Sequence, residues 1–369
     1  MDTYRAGSAR TRLSFFALAV VLGLGLAGCH RDYSAAFVDK LITRTDKFFD
    51  VAHATGDTFV IVGYNGRIIR SEDAGETWME VESPAEWSLN QVEFVGDEGW
   101  AVGHYGTVLH SRDGGQTWTQ QQSDTEKTLF SVSFVDNLHG WASGDESTVV
   151  STDNGGETWT AKRIEVSQVG LNDDMRLAVP DIMYYGVHFV DTQHGWMVGE
   201  YGNVRNTTDG GQTWGSQHGS LLESLREMGV VASDVMSLAA FFRVHFSDSN
   251  NGLIIGGAGA AATTSDGGQT WAWVAREGTT GAGIPNMPLY DLVQPNSDGA
   301  LIAVGSNGLV LHSDNNGANW STAETDADVF TWLNGVAIAE SGNGVMVGGK
   351  GSILLTSDGG KTWRPVKDQ

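Results

Sequence analysis

The chain contains little cysteine, little proline and few basic residues. Among its 369 residues are one Cys and six Pro, and 22 Lys and Arg stand against 45 Asp and Glu, a formal net charge of −23. A single cysteine cannot form an intramolecular disulfide, a four-thiolate zinc site or a cysteine-ligated iron–sulfur cluster. The acidic excess disfavours nucleic acid as a partner, because phosphate binding needs a dense positive patch.

Glycine and tryptophan, in contrast, are abundant, with 49 and 13 residues. The glycines follow no G-X-Y period, which excludes a collagen-like fibre, and the aromatic content is too high for a disordered acidic chain. The composition therefore predicts a folded protein, and its length permits several domains or one large all-β unit.

The first 28 residues have the pattern of a secretory signal. Three arginines precede an apolar run over residues 13–26, which is too short to predict a membrane span. We therefore leave residues 1–28 out of the fold prediction and treat them as a signal peptide.

The only cysteine stands directly behind this segment. The sequence Leu-Ala-Gly-Cys29 resembles a bacterial lipobox, in which the cysteine becomes the lipidated first residue of the mature protein. The alternative is an ordinary signal peptide with an incidental cysteine. Lipidation would anchor the protein to a membrane surface without spanning it. Because His30 follows, the resemblance implies the periplasmic side of the envelope, at the outer membrane, with residues 29–46 as a tether.

Seven segments repeat the pattern S/T-x-D-x-G-x-T-W along the chain, two of them with Asn at the Asp position. Their tryptophans are separated by 40, 41, 55, 57, 49 and 43 residues, about the length of one four-stranded propeller blade. The pattern resembles the Asp-box of sialidase-type repeats. The residues at the Asp position are Asp73, Asp113, Asn154, Asp209, Asp266, Asn315 and Asp358. A short side-chain acceptor followed by Gly is typical of a tight turn, so we expect these residues to be structural.

The repeat predicts an all-β fold, a seven-bladed β-propeller of four-stranded antiparallel blades over residues 47–369. Long inter-blade insertions are expected at about 160–186 and 215–241. The second contains leucines at helical spacing, which predicts a short amphipathic helix that either packs on blades 4 and 5 or docks a partner. The closure of the ring is left open, with residues 37–43 as a candidate extra edge strand.

Blade topology predicts which loops share a face. The boxes join strands three and four, so the turns between strands two and three and the crossings to the next blade lie on the opposite face. One position just before each first strand is aromatic in five of the seven units and is expected near the mouth of the central channel, either as a binding surface or as inter-blade packing. These seven positions are Phe49, Asn90, Phe130, Tyr185, Phe242, Tyr290 and Asn334.

The motifs of known enzymes are largely missing. The sequence contains no Arg-Ile-Pro segment of the sialidase type, no HExxH and no phosphate-binding glycine motif, so we predict no catalytic residues, no cofactor and no metal. Four acidic residues remain as candidates for a glycosidase carboxylate pair. They are Asp145, Glu146, Glu200 and Asp291.

The combined pattern resembles the photosystem II stability/assembly factor family. It is carried by the boxes and by the phrase Val-x-Phe-Val-Asp-x-x-His-Gly-Trp, seen at residues 132–141. The resemblance covers about residues 47–367 and implies a non-enzymatic assembly factor that holds membrane proteins through an arginine-bearing face. That face would map onto Arg67, Arg70, Arg205 and Arg243.

Our first hypothesis is therefore a lipid-anchored propeller that binds and helps assemble or stabilise a membrane or envelope protein complex. The alternative is a glycan-binding or glycoside-hydrolysing surface protein, which the box repeats and the aromatic residues would also suit. The predicted binding residues are Tyr64, Arg67, Arg70, Tyr105, Tyr185, Tyr201, Arg205, Arg243, Tyr290 and Lys350.

Overall fold

The structure is a computed structural model that describes residues 40–166, 181–228, 238–275, 283–295, 299–325 and 329–366. The predicted signal peptide, the lipidation site Cys29 and most of the predicted tether lie outside the described residues. The same holds for the middle parts of the two predicted insertions, residues 167–180 and 229–237.

Seven antiparallel sheets of four consecutive strands follow one another along the chain, which confirms the predicted propeller. Blades 1 and 2 are formed by β1 Phe48–His53, β2 Phe59–Gly63, β3 Ile68–Ser71 and β4 Met79–Val81, then β5 Leu89–Val95, β6 Glu98–Gly103, β7 Val108–Ser111 and β8 Thr119–Gln121. Blades 3 and 4 are formed by β9 Leu129–Phe134, β10 Gly140–Gly144, β11 Thr148–Thr152 and β12 Thr160–Arg163, then β13 Tyr184–Phe189, β14 Gly195–Gly199, β15 Val204–Thr207 and β16 Gly215–Ser216.

The remaining three blades repeat this order. Blades 5 and 6 are formed by β17 Phe241–Phe246, β18 Gly252–Gly256, β19 Ala261–Thr264 and β20 Ala272–Trp273, then β21 Leu289–Val293, β22 Leu301–Gly305, β23 Val310–Ser313 and β24 Ser321–Thr322. Blade 7 is formed by β26 Leu333–Ile338, β27 Gly344–Gly348, β28 Ile353–Thr356 and β29 Thr362–Pro365, with the short β25 Glu324–Thr325 added in parallel to β29.

The core lies between the blades, where large aromatic rings of one blade stack on those of the next. Trp100 of β6 stacks on Phe134 with ring centroids 3.6 Å apart, and its Nε1 donates to the carbonyl of Gly155 in the next box turn at 3.1 Å. Trp141 and Trp196 repeat both contacts one and two blades further on. Each Gly-Trp pair of the sequence therefore fastens one blade to its neighbour.

The ring closes by direct contact of blade 7 with blade 1. Asn334 Nδ2 donates to the carbonyl of Phe49 at 2.7 Å, and Gly335 lies so close to Asp50 that a Cβ there would be 2.7 Å from the Asp50 Cα. The segment that precedes β1 also contributes to ring closure, because the amide of Gly351 in blade 7 donates to the carbonyl of Asp46 at 2.8 Å. The candidate edge strand is not formed in its described part, residues 40–43, which lack strand pairing.

The predicted amphipathic helix exists as α1, His218–Glu227. Leu221 and Leu222 are buried in a cluster formed by blades 4 and 5, and Leu225 packs against its edge. Trp273 Nε1 donates to the carbonyl of Leu221 at 3.2 Å. The apolar side of α1 therefore packs on its own propeller rather than facing a partner. No helix among the described residues is long and apolar enough to cross a membrane.

Candidate functional site at the mouth of the ring

The box turns hold themselves together. In the second box, the carboxylate of Asp113 accepts the amide and the hydroxyl of Thr117 at 2.9 and 2.7 Å, and Ser111 Oγ accepts the amide of Gly115 at 2.9 Å. The same bonds recur in the other boxes, and the Asn-containing boxes keep the side-chain oxygen that accepts the amide. These bonds lower the pKa of the box carboxylates, that of Asp209 to about 2 through its Thr213 hydroxyl and amide. The carboxylates of the box face therefore stabilise their own turns.

The opposite face, which we call the mouth face, contains a bulge in every first strand. In blade 1 the pairing with β2 passes from Phe48 to Asp50 and leaves Phe49 unpaired. A bulge kinks the strand and redirects a side chain, here towards the axis of the ring. The bulged residues of the seven blades, which we call the mouth ring, are Phe49, Asn90, Phe130, Tyr185, Phe242, Tyr290 and Asn334.

All seven residues of the mouth ring line one cavity of about 180 Å³, together with Arg243. Four of its aromatic rings form an arc across blades 3 to 6, with centroid distances of 5.3 Å from Phe130 to Tyr185, 5.5 Å from Tyr185 to Phe242 and 5.8 Å from Phe242 to Tyr290. None of these pairs is stacked. Sequence reasoning placed this ring correctly, and its members both touch their neighbours and border open space.

Below the mouth ring, polar side chains bridge consecutive inner strands. Asp50 Oδ2 accepts the amide of Val92 at 3.0 Å, and Gln91 Oε1 accepts that of Val132 at 2.7 Å. Glu93 and the serines of β9 make equivalent bonds to the next blade. Side chains of the first strands thus satisfy backbone amides that face the channel and hold neighbouring blades in register.

One arginine crosses this channel. Arg243 Nε donates to Asp291 Oδ1 at 2.6 Å, and its Nη2 lies 3.7 Å from Asp50 Oδ1 on the far side of the ring. Asp291 Oδ2 also accepts the amide of Val336 at 2.9 Å. The guanidinium therefore forms the floor of the mouth cavity, and the carboxylate of Asp291, which a backbone amide holds in place, pairs with its charge.

Burial displaces the pKa of the titratable groups below this floor. It raises the pKa of Glu93 to about 8, with the Phe134 amide and Arg243 acting against it, and it raises that of Asp50. It lowers the pKa of His188 to about 3, helped by His245, whose ring centroid lies 5.1 Å away. Because the carbonyl of Phe246 can only accept, His188 carries its proton on Nε2, 3.0 Å from that oxygen.

The predicted arginine face is not formed. Arg70 is 5% exposed and donates from Nε to the carbonyl of Gly114, in a box turn on the opposite face. Arg205 is 4% exposed and donates to Tyr184 Oη and to the carbonyl of Glu165. The reason is strand alternation, which turns both side chains into blade interfaces where neighbouring acceptors satisfy them.

The other two arginines are also engaged. Arg67 lies at the mouth face but donates to Asp46 Oδ1 at 2.7 Å, to Glu80 Oε2 at 3.0 Å and to the carbonyl of Leu41. Arg243 belongs to the channel floor. Among the predicted basic residues only Lys350 projects into solvent, from the turn of blade 7, where its Nζ lies 3.4 Å from the carbonyl of Phe330.

The turns between strands two and three present one side chain each at a left-handed tip residue. In six blades the tip has φ between 53° and 57°, and the tips are Asn65, Tyr105, Tyr201, Ala258, Asn307 and Lys350. Asn tolerates this conformation, whereas a bulky side chain is uncommon there. Tyr105 is 61% exposed, and its ring centroid lies 4.6 Å from that of Trp87 in the preceding crossing. Tyr201 is half-buried against blade 4.

Exposed aromatic side chains concentrate on this face. Among the described residues, the four exposed large aromatics all belong to its turns and crossings, at blades 7, 1 and 2. They are Phe330 at 78%, Tyr105 at 61%, Tyr64 at 50% and Trp87 at 49%. Lys47 Nζ lies 5.0 Å from the centre of the Tyr64 ring. Phe49 of the mouth ring stacks on Trp332, two residues after Phe330, with centroids 5.8 Å apart.

The candidate carboxylates lie elsewhere on the mouth. Asp145, Glu146 and Glu200 belong to the turns of blades 3 and 4, with Glu200 and Asp145 near Tyr185, whereas Asp291 lies in the channel floor. Glu146 pairs with Lys127 at 2.6 Å, and Glu200 Oε2 accepts the amide of Met183 at 3.1 Å. Among the described residues, no group of three or more His, Cys, Asp or Glu is arranged to hold a metal ion.

Sequence reasoning missed the channel residues Asp50, Gln91, Glu93, His188 and His245. A signal was present, since these residues stand one and three positions after the mouth ring in strands whose buried positions are otherwise apolar. It was overlooked because no single blade shows a recognisable motif there, and only the closed ring brings the side chains together.

Comparison with known proteins agrees with this architecture. The sequence matches the family described as photosynthesis system II assembly factor YCF48 over residues 34–125, 117–179 and 227–368, well over half of the chain. The chain belongs to the YCF48 assembly factor family. No curated protein matches it significantly.

Solved structures of this family share the fold. YCF48 bound to D1 peptide has a TM-score of 0.62 at 19% identity, over 86% of this chain and 95% of that one. YCF48 from Cyanidioschyzon merolae has the same score and identity. The GH74 xyloglucanase from Xanthomonas campestris has a TM-score of 0.63 at 12% identity, over 88% of this chain but 55% of that enzyme. At these identities the likeness concerns the fold alone.

Proposed function

We propose that this protein is a lipid-anchored, non-enzymatic propeller whose mouth face holds a segment of a membrane or envelope protein during assembly. The observation that carries the proposal is the patch of Phe330, Tyr64, Trp87 and Tyr105, which gathers the exposed large aromatics of the described chain on one face. Contiguous exposed apolar surface marks interaction sites, and aromatic residues dominate binding energy at interfaces. The D1 peptide bound to a YCF48 structure supports a protein segment as the ligand.

The turn of blade 2 supports the same assignment. Tyr105 occupies a left-handed tip position with φ 54°, where blades 1 and 6 have Asn. A bulky residue in this conformation costs roughly 1 kcal/mol relative to one that tolerates it. A strained, exposed tyrosine that lies against an exposed tryptophan is unfavourable for the fold and suits a binding surface.

The decisive experiment compares two variants of purified protein in binding to partners from detergent-solubilised membranes of the source cells. Tyr105→Asn restores the residue found at the tips of blades 1 and 6, so its stability should be unchanged or higher. We expect it to weaken binding of a co-purifying membrane protein, re-measured with that protein purified, by about tenfold. The matched control is Leu138→Ala, which removes an exposed apolar side chain, 53% accessible, from the box face.

Equal binding by Tyr105→Asn and wild type, or loss of binding in Leu138→Ala, would contradict the proposal. The anchor is tested separately by Cys29→Ser, which should release the protein from the membrane fraction. Unchanged membrane partitioning of Cys29→Ser would contradict the lipid anchor and would not affect the proposal for the binding face.

A glycan-directed activity is the alternative, and the observation that favours it is the set of carboxylates beside Tyr185 at blades 3 and 4. A panel of fluorogenic sialosides and β-glucans tests it. Turnover that is abolished in Glu146→Gln or Glu200→Gln would replace the binding proposal by a hydrolase.

A further inference from the structure

The mouth cavity differs from the exposed patch in shape and in charge. It is an open concavity of about 180 Å³ at the axis of the ring, whereas the patch lies on the outer turns. Seven bulges, one per blade, hold its lining side chains, so the backbone fixes their direction. Such a cavity is preorganised for a single compact group.

Its walls are aromatic over most of the circumference. Phe130, Tyr185, Phe242 and Tyr290 meet at interplanar angles of 54°, 69° and 34° in turn, and Phe49 completes the ring from the other side. Because no pair in the arc is stacked, no parallel neighbour covers the ring faces. Faces of aromatic rings carry negative electrostatic potential and attract cations within about 6 Å.

The positive charge at the floor is already paired. The one guanidinium that reaches it, that of Arg243, already donates to Asp291 at 2.6 Å and lies 3.7 Å from Asp50. Glu93 lies in the same channel below. If Asp291 is the only ionised carboxylate, it balances the charge of Arg243 and the floor is neutral. Ionisation of Asp50 or Glu93 as well makes the floor negative. A carboxylate or phosphate entering the cavity would have to compete with these groups for Arg243.

The rim adds negative charge on the side of blades 3 and 4. Partial burial, followed by the nearby carboxylates of Glu200 and Asp145, raises the pKa of the Tyr185 phenol to about 12. The protein as a whole carries a formal charge of −23. Short-range and long-range fields thus both favour a positively charged ligand.

We infer that the mouth cavity is a binding site for one organic cation, the side chain of an arginine or a lysine in a protein partner. The cation would lie against the faces of the mouth-ring aromatics, near the carboxylates of the rim. Naming the cation as a partner's side chain rests on the proposed function, whereas the preference of the cavity for a cation does not.

The test uses small probes in place of the partner. N-acetyl-arginine N-methylamide and N-acetyl-lysine N-methylamide are titrated into the purified protein, and binding is followed by ligand-observed NMR. The citrulline and norleucine analogues have the same blocked ends and no charge. We expect each cation to bind about tenfold more tightly than its neutral counterpart, and N-acetyl-glutamate N-methylamide to show no binding.

Variants locate the site. Tyr185→Leu should weaken the arginine probe by about tenfold, whereas Tyr185→Phe, which keeps the ring, should bind it nearly as well as wild type. Leu138→Ala removes an exposed apolar side chain of the box face, outside the cavity, and should leave probe binding unchanged. Thermal unfolding of Tyr185→Leu establishes that the variant is folded, and Tyr290→Leu replaces it if it is not.

Equal affinity for arginine and citrulline probes, tighter binding of the glutamate probe, or full retention of binding in Tyr185→Leu and Tyr290→Leu would each overturn the inference. Its failure is distinguishable from that of the proposed function. If Tyr105→Asn loses partner binding and the probes show no cation preference, the proposed function stands and the cation site is wrong. If the probes show a cation preference but no protein partner is found, the cation site stands and the proposed function is wrong.

Discussion

At the box face the same side chains recur in every blade, whereas at the mouth the same backbone recurs with different side chains. A box aspartate such as Asp113 bonds to its own turn, and its pKa is lowered by those bonds. A channel carboxylate such as Glu93 bonds to the next blade, and burial raises its pKa. A side chain that repeats from blade to blade and bonds to its own turn therefore indicates a role in the fold. A backbone position that repeats with varied side chains indicates a surface available for function.

The largest effect is expected when two tryptophans are compared, one buried between blades and one exposed at the mouth face. Trp100 is fully buried, stacks on Phe134 and donates to Gly155 across a blade interface. We expect Trp100→Ala to lower the free energy of unfolding by about 3–5 kcal/mol, because it leaves a cavity and removes a hydrogen bond between two blades. Denaturant titration measures the effect.

The matched control is Trp87→Ala at the mouth face, which should change the free energy of unfolding by less than about 0.5 kcal/mol. Comparable losses in the two variants would mean that the exposed aromatic patch is part of the fold. The comparison between the two faces would then fail.

The fold could be predicted from the sequence because each blade contains a recognisable local motif. The Gly-x-Thr-Trp ending of six boxes, with Gly-Ala-Asn-Trp in the other, stands at a nearly constant distance after the first strand of its own blade and predicts both the number of blades and the position of the mouth ring. What it could not predict was the partner of each charged side chain. Arg205 lies in a third strand and is buried in a blade interface, and Arg243 lies in a first strand and crosses the channel. Only ring closure decides which acceptors each of them meets.

A second prediction concerns the raised pKa of Glu93. Its folded-state value of about 8 lies above the ordinary value of 4.5, so between these pH values the folded protein retains a proton that the unfolded chain has lost. Stability therefore falls as pH rises from about 4.5 to 8. In Glu93→Gln this loss should disappear, while an amide oxygen remains to accept the Phe134 amide.

The measurement is the free energy of unfolding of wild type and Glu93→Gln at pH 5 and pH 9. We expect the variant to gain on the order of 1 kcal/mol or more relative to wild type at the higher pH. As the control, Glu98→Gln removes a carboxylate of the same blade that pairs with His110 outside the channel. If the wild type and Glu93→Gln kept a constant difference across this range, the channel carboxylate would be ionised like the others.

The smallest effect sharpens the account of the boxes. Asp113→Ala removes the acceptor for both the amide and the hydroxyl of Thr117 and should cost about 1 kcal/mol of unfolding free energy. Asp113→Asn should cost less, because Asn154 and Asn315 show that the side-chain oxygen alone accepts the equivalent amide in two boxes. Thermal and denaturant unfolding distinguish the two variants, and both should bind partner protein and cation probe as wild type does. A box variant that lost binding while keeping its stability would show that function extends to the box face, since the bonds of Asp113 do not reach beyond its own turn.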